Sequence, residues 1–343
     1  MTTGVVVSNF RLVHEFPKRA LESAWREFLT RADWASHYTA PEYFLEPFWK
    51  GKRPFAVLAM EGDEIAAILT GCHEGNSTIS GVTGRPQACF DRGRDYSGAA
   101  RALTRGILME AGSAELVSVI AWDRLELGGF RVRPLEGNVV LDLTKGTATL
   151  YKHLHENRRR NIRYAKEHDV EVCEATSEED FKAYYEVYGQ WRHTTRKKIF
   201  GEEVPFEVMR EAFRLRGSRR LFVARHQGKV VAGTILRFVP GGLLEYAANS
   251  SLDEYNHLRP NDLLIWRTIE WGCAEGFRQY SLGGAHPFLQ KTGGIVKPLY
   301  RHRLDRSYLR WHDRRERLRD DCRSWLRRVP QIDRSLRRLL GKA

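Results

Sequence analysis

One pattern of hydrophobic and polar positions runs through the chain twice. From Pro54 it reads PFAVLAMEGDEIAAILTGCHEGNSTISG, and from Arg220 it reads RLFVARHQGKVVAGTILRFVPGGLLEYA, an offset of about 166 residues. Under that offset Val57 falls on Val223, Gly62 on Gly228, Ala66 on Ala232 and Gly75 on Gly241. Each copy is two β-rich runs around a glycine turn, then a second glycine turn and a third run. That spacing predicts a three-stranded antiparallel meander. A helix follows each meander. Ser97 is placed to cap the first, whose Ala99, Leu103, Ile107 and Ala111 share a face that stops at Gly112. Asn261 is placed to cap the second, with Ile265, Ile269, Gly272 and Cys273 on a face and Gly276 at the stop. An apolar strand comes next in both copies, Leu116 to Trp122 and FRQYSLGG.

Upstream of the meanders, helical periodicity covers 19–30 and 40–50 in the first copy, 177–192 and 203–216 in the second. Thr176 and Glu179 have the spacing of a capping box. The resulting order, α-α-β-β-β-α-β twice, resembles the core of the acetyltransferase-type fold known as GNAT. The expected class is therefore α+β, with two tandem GNAT-like domains at 1–145 and 146–310. Between the copies, 146–170 carries Leu150, Leu154, Ile162 and Ala165 at helical spacing among basic residues. Past 310, Trp311, Leu318, Trp325, Leu326, Leu336 and Leu339 alternate with arginines, with Pro330 as an interruption. The segment 311–343 reads as a basic amphipathic helical tail laid on a domain or on an acidic partner.

At 343 residues, with 42% hydrophobic and 11% aromatic content, the chain has the material for two ordinary cores. No apolar run approaches the length of a membrane span, and the start lacks a signal peptide's layout. Five scattered cysteines without a CxxC pair fit a reducing cytoplasm, the expected location. His286 and His302 lack ligand spacing, and no metal is expected. The charge is +13, and it is lopsided. Residues 1–145 hold 17 Lys/Arg against 18 Asp/Glu; 146–310 hold 28 against 20, and 311–343 hold 11 against 5. An anionic partner for the second copy and the tail is the natural implication.

Three stretches carry a family resemblance. ENRRRNIRYAKEHDVEV resembles the basic segment opening the second half of FemAB/FemX-like transferases. YNHLRPNDLLIWRTIEWGCAEGFRQYSLGGAHPF resembles their loop, helix and strand ending in Gly-Gly, and KTGGIVKPLYRHRLD their Lys- and Gly-bearing stretch after it. The resemblance covers roughly residues 20–310 and is of the compact type without a coiled-coil arm. It implies an amide-forming acyltransferase, with aminoacyl-tRNA or acyl-CoA as co-substrate and no tightly bound cofactor. The acceptor would be an amine of a cell-envelope (peptidoglycan) precursor, such as a nucleotide-sugar or lipid-linked peptide, or of a metabolite. One departure concerns the Gly-rich turn with which GNAT enzymes hold the pyrophosphate of acetyl-CoA. The second copy has His257-Leu258-Arg259-Pro260-Asn261-Asp262 there, without glycine. The first has Asp95-Tyr96-Ser97-Gly98-Ala99-Ala100, without the basic residue.

Amide formation needs a neutral amine held against the carbonyl and a stabilised oxyanion, while the nucleophile belongs to the substrate. The candidates lie at strand ends of the second copy. Tyr246 is a candidate for positioning the amine or relaying its proton. Glu245 is its neighbour, facing away by strand alternation, so at most one of the two acts. The resemblance points to a lysine near Gly293-Gly294 for the donor carbonyl or a phosphate, Lys297 fitting better than Lys291 by its spacing to Tyr300. Asn249, Arg259, Asn261, Lys291, Tyr300 and Trp191 are candidate substrate contacts. Arg158, Arg159, Arg163 and Lys166 form one basic patch, and Arg196 and Lys197 belong to another, beside Trp191, for phosphate or nucleic acid. Two other readings stand beside the aminoacyl-transfer reading. One is an acyl-CoA-dependent N-acyltransferase of polysaccharide or natural-product biosynthesis. The other is a non-catalytic protein binding nucleic acid or a membrane surface peripherally through the basic tail.

Overall fold

The computed structural model describes residues 9–46, 51–81, 84–196, 203–213 and 216–328. The first half runs β1 (Asn9–Val13), α1 (Arg19–Arg31), β2 (Ala32–Asp33), β3 (Arg53–Glu61), β4 (Glu64–Glu74), β5 (Ser77–Ser80), β6 (Ala88–Asp91), α2 (Tyr96–Ala111), β7 (Leu116–Ala121) and β8 (Arg131–Asp142). The second half runs α3 (Gly146–His153), α4 (Glu156–Glu167), β9 (Val170–Glu174), α5 (Glu178–Trp191), α6 (Phe206–Phe213), β10 (Arg219–His226), β11 (Lys229–Phe238), β12 (Leu243–Ser251), α7 (Pro260–Ala274), β13 (Gln279–Ser281), α8 (Pro287–Gln290), β14 (Ile295–Asp305) and α9 (Trp311–Arg328).

Both expected meanders are present, β3-β4-β5 and β10-β11-β12, paired antiparallel. The helix after each packs its apolar face on the sheet. Leu103 and Ile107 of α2 are fully buried against Val57 and Val117, and Leu264, Ile265 and Ile269 of α7 against Leu236 and Leu244. The opposite faces are closed by Trp25 and Phe28 of α1 in the first half, and by Phe181 and Tyr184 of α5 in the second.

Helix ends depart from expectation by a residue or two. Asp95, two residues ahead of Ser97, caps α2 by accepting from the Ser97 and Gly98 amides. Ser177 rather than Thr176 caps α5, accepting from the Asp180 amide. α7 starts at Pro260, and its cap is Arg259 in the left-handed region, with no side-chain cap bond. Asn261 lies inside the helix. The basic segment 146–170, with apolar residues at helical spacing, forms two helices, α3 and α4, before Val170 opens β9. The break at Leu154 is stabilised by Arg159, whose Nη1 donates to the carbonyls of Lys152 and Leu154 and so satisfies orphaned acceptors of α3. The helix expected over 40–50 is a short 3-10 turn, Pro41–Leu45, and 47–50 lie outside the described residues.

The strands form one continuous sheet in the order β1-β3-β4-β5-β7-β14-β8-β13-β12-β11-β10-β9, with β6 joining β2 to β4. Its centre is an exchange. β14, from the end of the second half, pairs with β7 of the first, and β8, from the end of the first half, pairs with β13 of the second. The two long strands also pair with each other. Among the described strands only β5–β7 and β12–β13 run parallel.

A buried ionic cluster joins the halves away from the exchanged strands. Glu46 receives hydrogen bonds from the His37 ring and from Arg219 of β10, while Arg237 of β11 donates to the Tyr38 hydroxyl. Burial lowers the His37 pKa to about 4 against the pull of Glu46, so the ring is neutral at pH 7. Burial alone pushes Glu46 up, but the His37 hydrogen bond and nearby arginine charge together hold it down to about 2.

The unfolded chain protonates His37 near pH 6.5, while the native ring resists until about pH 4. Between those values the unfolded state binds the extra proton, so stability falls as pH falls, by at most about 1.4 kcal/mol per unit. Depression of the Glu46 pKa removes further stability below about pH 4.5. Urea melts between pH 7 and 4 should show this slope. His37→Gln should flatten it in that window, and an unchanged slope would assign the acid lability elsewhere.

Candidate active site

The site begins with a short strand pair. β12 and β13 pair in parallel over only three residues, Leu243, Leu244 and Glu245 against Gln279, Tyr280 and Ser281. β13 then ends at Ser281, just ahead of Gly283-Gly284, whereas β12 continues and bulges. Leu236 of β11 faces Tyr246 and Ile235 faces Ala248, so Ala247 is the extra residue. The two strands part as a fork at Glu245–Tyr246. A parted parallel pair leaves backbone acceptors without ladder partners, and these need another donor.

Arg85 of the first half supplies it. Its Nη2 donates to the Tyr246 carbonyl at 2.8 Å, and its Nη1 stands 3.7 Å from the Glu245 carboxylate. The guanidinium lies against Gly283, where φ is 81° and a Cβ would stand 2.6 Å from Nη2. Only glycine satisfies both the backbone conformation and the close approach. Glu245 is 2% exposed, and burial raises its pKa while Arg85 and Arg237 oppose the shift. Arg85 Nη1 is a buried group with no hydrogen-bond partner.

The other side of the fork is built by α4, α7 and α8. Arg158 of α4 is 1% exposed; it donates to the Phe288 carbonyl, lies over the Phe288 ring at 4.3 Å and pairs with Asp262 of α7 at 3.2 Å. Asn161 donates to the other Asp262 oxygen at 3.1 Å. Desolvation pushes the Asp262 carboxyl up, against the charges of Arg158, Arg259 and Lys291. Tyr246 is half-buried beside this pair, and burial raises its phenol well above the ordinary tyrosine value. Thr234 is its hydrogen-bond partner. Asn249 Nδ2 bonds the Gly233 carbonyl and Asn261 Oδ1, and Asn261 Nδ2 bonds Ser251 Oγ, so α7 is tied to the bulged strand.

Tyr246, Arg158, Asn249, Asn261, Arg259 and Lys291 thus come together around the start of α7. Glu245 lies on the other face of β12, in the ion pair with Arg85. Lys297 sits on β14, its ammonium 3.2 Å from Asp123 and over the Trp34 ring at 4.7 Å, with Trp34 stacked on Trp122. Tyr300 follows on the same strand, between Ala121 and Pro134. Trp191 ends α5, while Arg163 and Lys166 lie on the exposed face of α4. Lys197 and the Arg196 side chain lie outside the described residues. Arg85, Asp262 and Asn161 went unnoticed in the sequence: Arg85 has no motif around it, and a carboxylate at the start of a helix reads as routine dipole compensation.

Both fork-side helices begin with a carboxylate of the chain's own. Asp95 occupies the first amides of α2, and Asp262 stands in the first turn of α7 behind Pro260, which has no N–H.

A three-stranded meander, a following helix and a short parallel pair, each present twice, specify an architecture. The chain has the tandem GNAT fold. Residues 152–290 match the acetyltransferase (GNAT) domain family. The chain is similar to the crystal structure of FemX, with a TM-score of 0.61 and 11% identity, covering 85% of this chain and 96% of that one. It is also similar to the C-terminal domain of a putative lysylphosphatidylglycerol synthetase from Agrobacterium fabrum, with a TM-score of 0.56, 15% identity and coverages of 85% and 94%. A tandem GNAT protein from the clavulanic acid biosynthesis pathway aligns with a TM-score of 0.53 at 13% identity, covering 88% and 99%. No curated protein sequence matches the chain. At these identities the likeness is one of fold. The FemX-like expectation for the architecture therefore holds, and the residues of the fork must carry the chemistry by themselves.

Removing Arg158 leaves Asp262 buried without its countercharge. Arg158→Met should cost about 3 kcal/mol of unfolding free energy in urea. Arg158→Met/Asp262→Leu should recover most of it. A double variant no more stable than the single one would show that the pair is not the coupled unit described here.

Proposed function

We propose that the chain is an amide-forming acyltransferase that takes an aminoacyl group from an aminoacyl-tRNA and passes it to the amine of a cell-envelope precursor or metabolite. The observation that carries the reading is the fork, a parted strand pair with a bulge, a half-buried tyrosine and a buried arginine donor. It offers what acyl transfer needs, a slot for the carbonyl, a group to hold or pass a proton and fixed donors for developing negative charge.

In this reading the donor carbonyl enters between β12 and β13, near Arg85 Nη1. The amine attacks, the C–N bond forms and the C–O bond to the ribose breaks. Because its phenol pKa is raised, Tyr246 is protonated at neutral pH. It gives that proton to the leaving ribose oxygen and takes one from the attacking amine. An alkoxide leaving group needs that proton, whereas a thiolate does not. Glu245 acts through Arg85 by holding it, and Asn249 and Asn261 hold the bulge in place. Lys291, Arg259, Tyr300 and Trp191 remain the proposed substrate contacts, and Lys297, expected as a catalytic group, joins them because its ammonium is engaged by Asp123 and the Trp34 ring. The exposed Arg163 and Lys166, with Arg196 and Lys197, remain the proposed contacts to the donor's phosphates.

Two features favour tRNA over acyl-CoA. The helix starts that hold pyrophosphate in GNAT enzymes offer few free amides here: Asp95 already accepts from the first amides of α2, and α7 begins at Pro260, which has no N–H. The excess positive charge lies behind residue 145, suited to an extended polyanion. FemX and a putative lysylphosphatidylglycerol synthetase share the fold, and their names fit an envelope setting.

Purified protein incubated with total tRNA charged with labelled amino acids, and with hydroxylamine as surrogate amine, should release label in a protein-dependent, RNase-sensitive manner. Labelled acyl-CoAs should stay intact; turnover of acyl-CoA that survives RNase would replace the tRNA donor with a thioester. Tyr246→Phe should lower kcat at least tenfold, about 1.4 kcal/mol of barrier, with little change in KM. Lys297→Ala should act mainly on KM. A Tyr246→Phe rate equal to wild type would remove the tyrosine from the chemistry.

A further inference from the structure

The last described helix is docked the wrong way round for a surface helix. α9 is held to the sheet by its carboxylates. Glu316 pairs with Arg301 and Arg303 of β14, and Asp313 stands 3.4 Å from Arg303 and 3.7 Å from Arg131. The Asp313 amide donates to Asp305 at 2.7 Å, and His312 approaches Glu115 at 3.4 Å. At about 100° per residue, the face opposite Asp313 and Glu316 carries residues 311, 318 and 325. These are Trp311, Leu318 and Trp325, which are 56%, 60% and 53% exposed. Tyr308 and Leu309 extend the apolar surface at the start of the helix, at 87% and 55%. Arg314, Arg315, Arg317 and Arg319 are all exposed.

An amphipathic helix on a globular protein buries its apolar stripe against the core. Here ion pairs take the inner side, and the stripe faces outward along the helix between exposed arginines. Two tryptophans and a leucine flanked by guanidinium groups match the zone where acyl chains meet anionic headgroups. There an indole sits half in hydrocarbon, and arginines pair with phosphates. We propose that the outer face of α9 is a membrane-docking surface that lies in the headgroup layer of an anionic bilayer, with Trp311, Leu318 and Trp325 inserted. The occupant follows from charge complementarity and from the chain's continuation, where Ile332, Leu336, Leu339 and Leu340 again alternate with Arg334, Arg337 and Arg338. An acidic protein groove would satisfy the arginines, yet one outward stripe running the length of a lone helix fits a planar surface better. Among the described residues no helix is long and apolar enough to cross a membrane, so contact through this face is peripheral. The proposal stands independently of the acyltransferase reading.

Flotation of the full-length protein with vesicles is the test. Vesicles of phosphatidylcholine mixed with phosphatidylglycerol should carry the protein, and vesicles of phosphatidylcholine alone should not. Trp311→Ser/Leu318→Ser/Trp325→Ser should lower the bound fraction at least tenfold. Its thermal melt should be unchanged, because these side chains face solvent. Arg314→Glu/Arg315→Glu, which leaves the stripe intact, should also weaken binding and would do so without any change to an apolar side chain. Equal binding to both vesicle types, or a triple variant that floats like wild type, would overturn the proposal. So would failure of the wild type to float, including the case where it sediments as a dimer that the triple variant splits.

Discussion

The constraint on which the site depends is the brevity of the β12–β13 pair. Three paired residues keep the sheet continuous, and then the strands separate, leaving β12 with backbone acceptors that a full ladder would have used. The first half answers with Arg85, which donates to the Tyr246 carbonyl and faces Glu245. Because the answering group comes from the other half of the chain, the fork is complete only when the halves are docked. The exchanged strands β8 and β14 enforce that docking.

The same arrangement separates structural charge from chemical charge. Arg158 and Asp262, and His37, Glu46 and Arg219, are buried sets whose partners neutralise one another, and their loss would be felt first as instability. Tyr246 differs from them. It is half-buried, its phenol stays protonated, and its neighbours Arg158 and Asp262 fix its surroundings without ionising it.

Local patterns carried much of the fold. β-rich runs around glycine turns between Pro54 and Gly81 and between Arg220 and Ala247 specified both meanders, and the apolar spacing of Ala99 to Ala111 and of Ile265 to Cys273 specified both sheet-covering helices. Caps slipped because several polar residues compete at a helix start, and Asp95 and Ser177 win on backbone geometry that composition does not record. Nothing local in IVKPLYRHRLD says that it pairs with β7, more than 170 residues upstream. The candidate site divided in the same way. Tyr246, Asn249 and Asn261 were legible because they lie beside recognisable strand and helix ends. Arg158 read as part of a basic patch for phosphate or nucleic acid but is buried, since α4 turns that side chain towards α7 and Phe288. Arg85 was invisible because its meaning lies wholly in a contact across 161 positions of sequence.

The central claim is that the β12–β13 fork, rather than its counterpart at β5–β7, receives the donor. Hydrogen exchange in the presence of a non-hydrolysable aminoacyl-adenosine amide tests this most directly. The account predicts protection of the amides of residues 245–250 and 281–284, together with the segment around Arg85. Protection confined to residues 77–81 and 95–100, at the first fork, would contradict it.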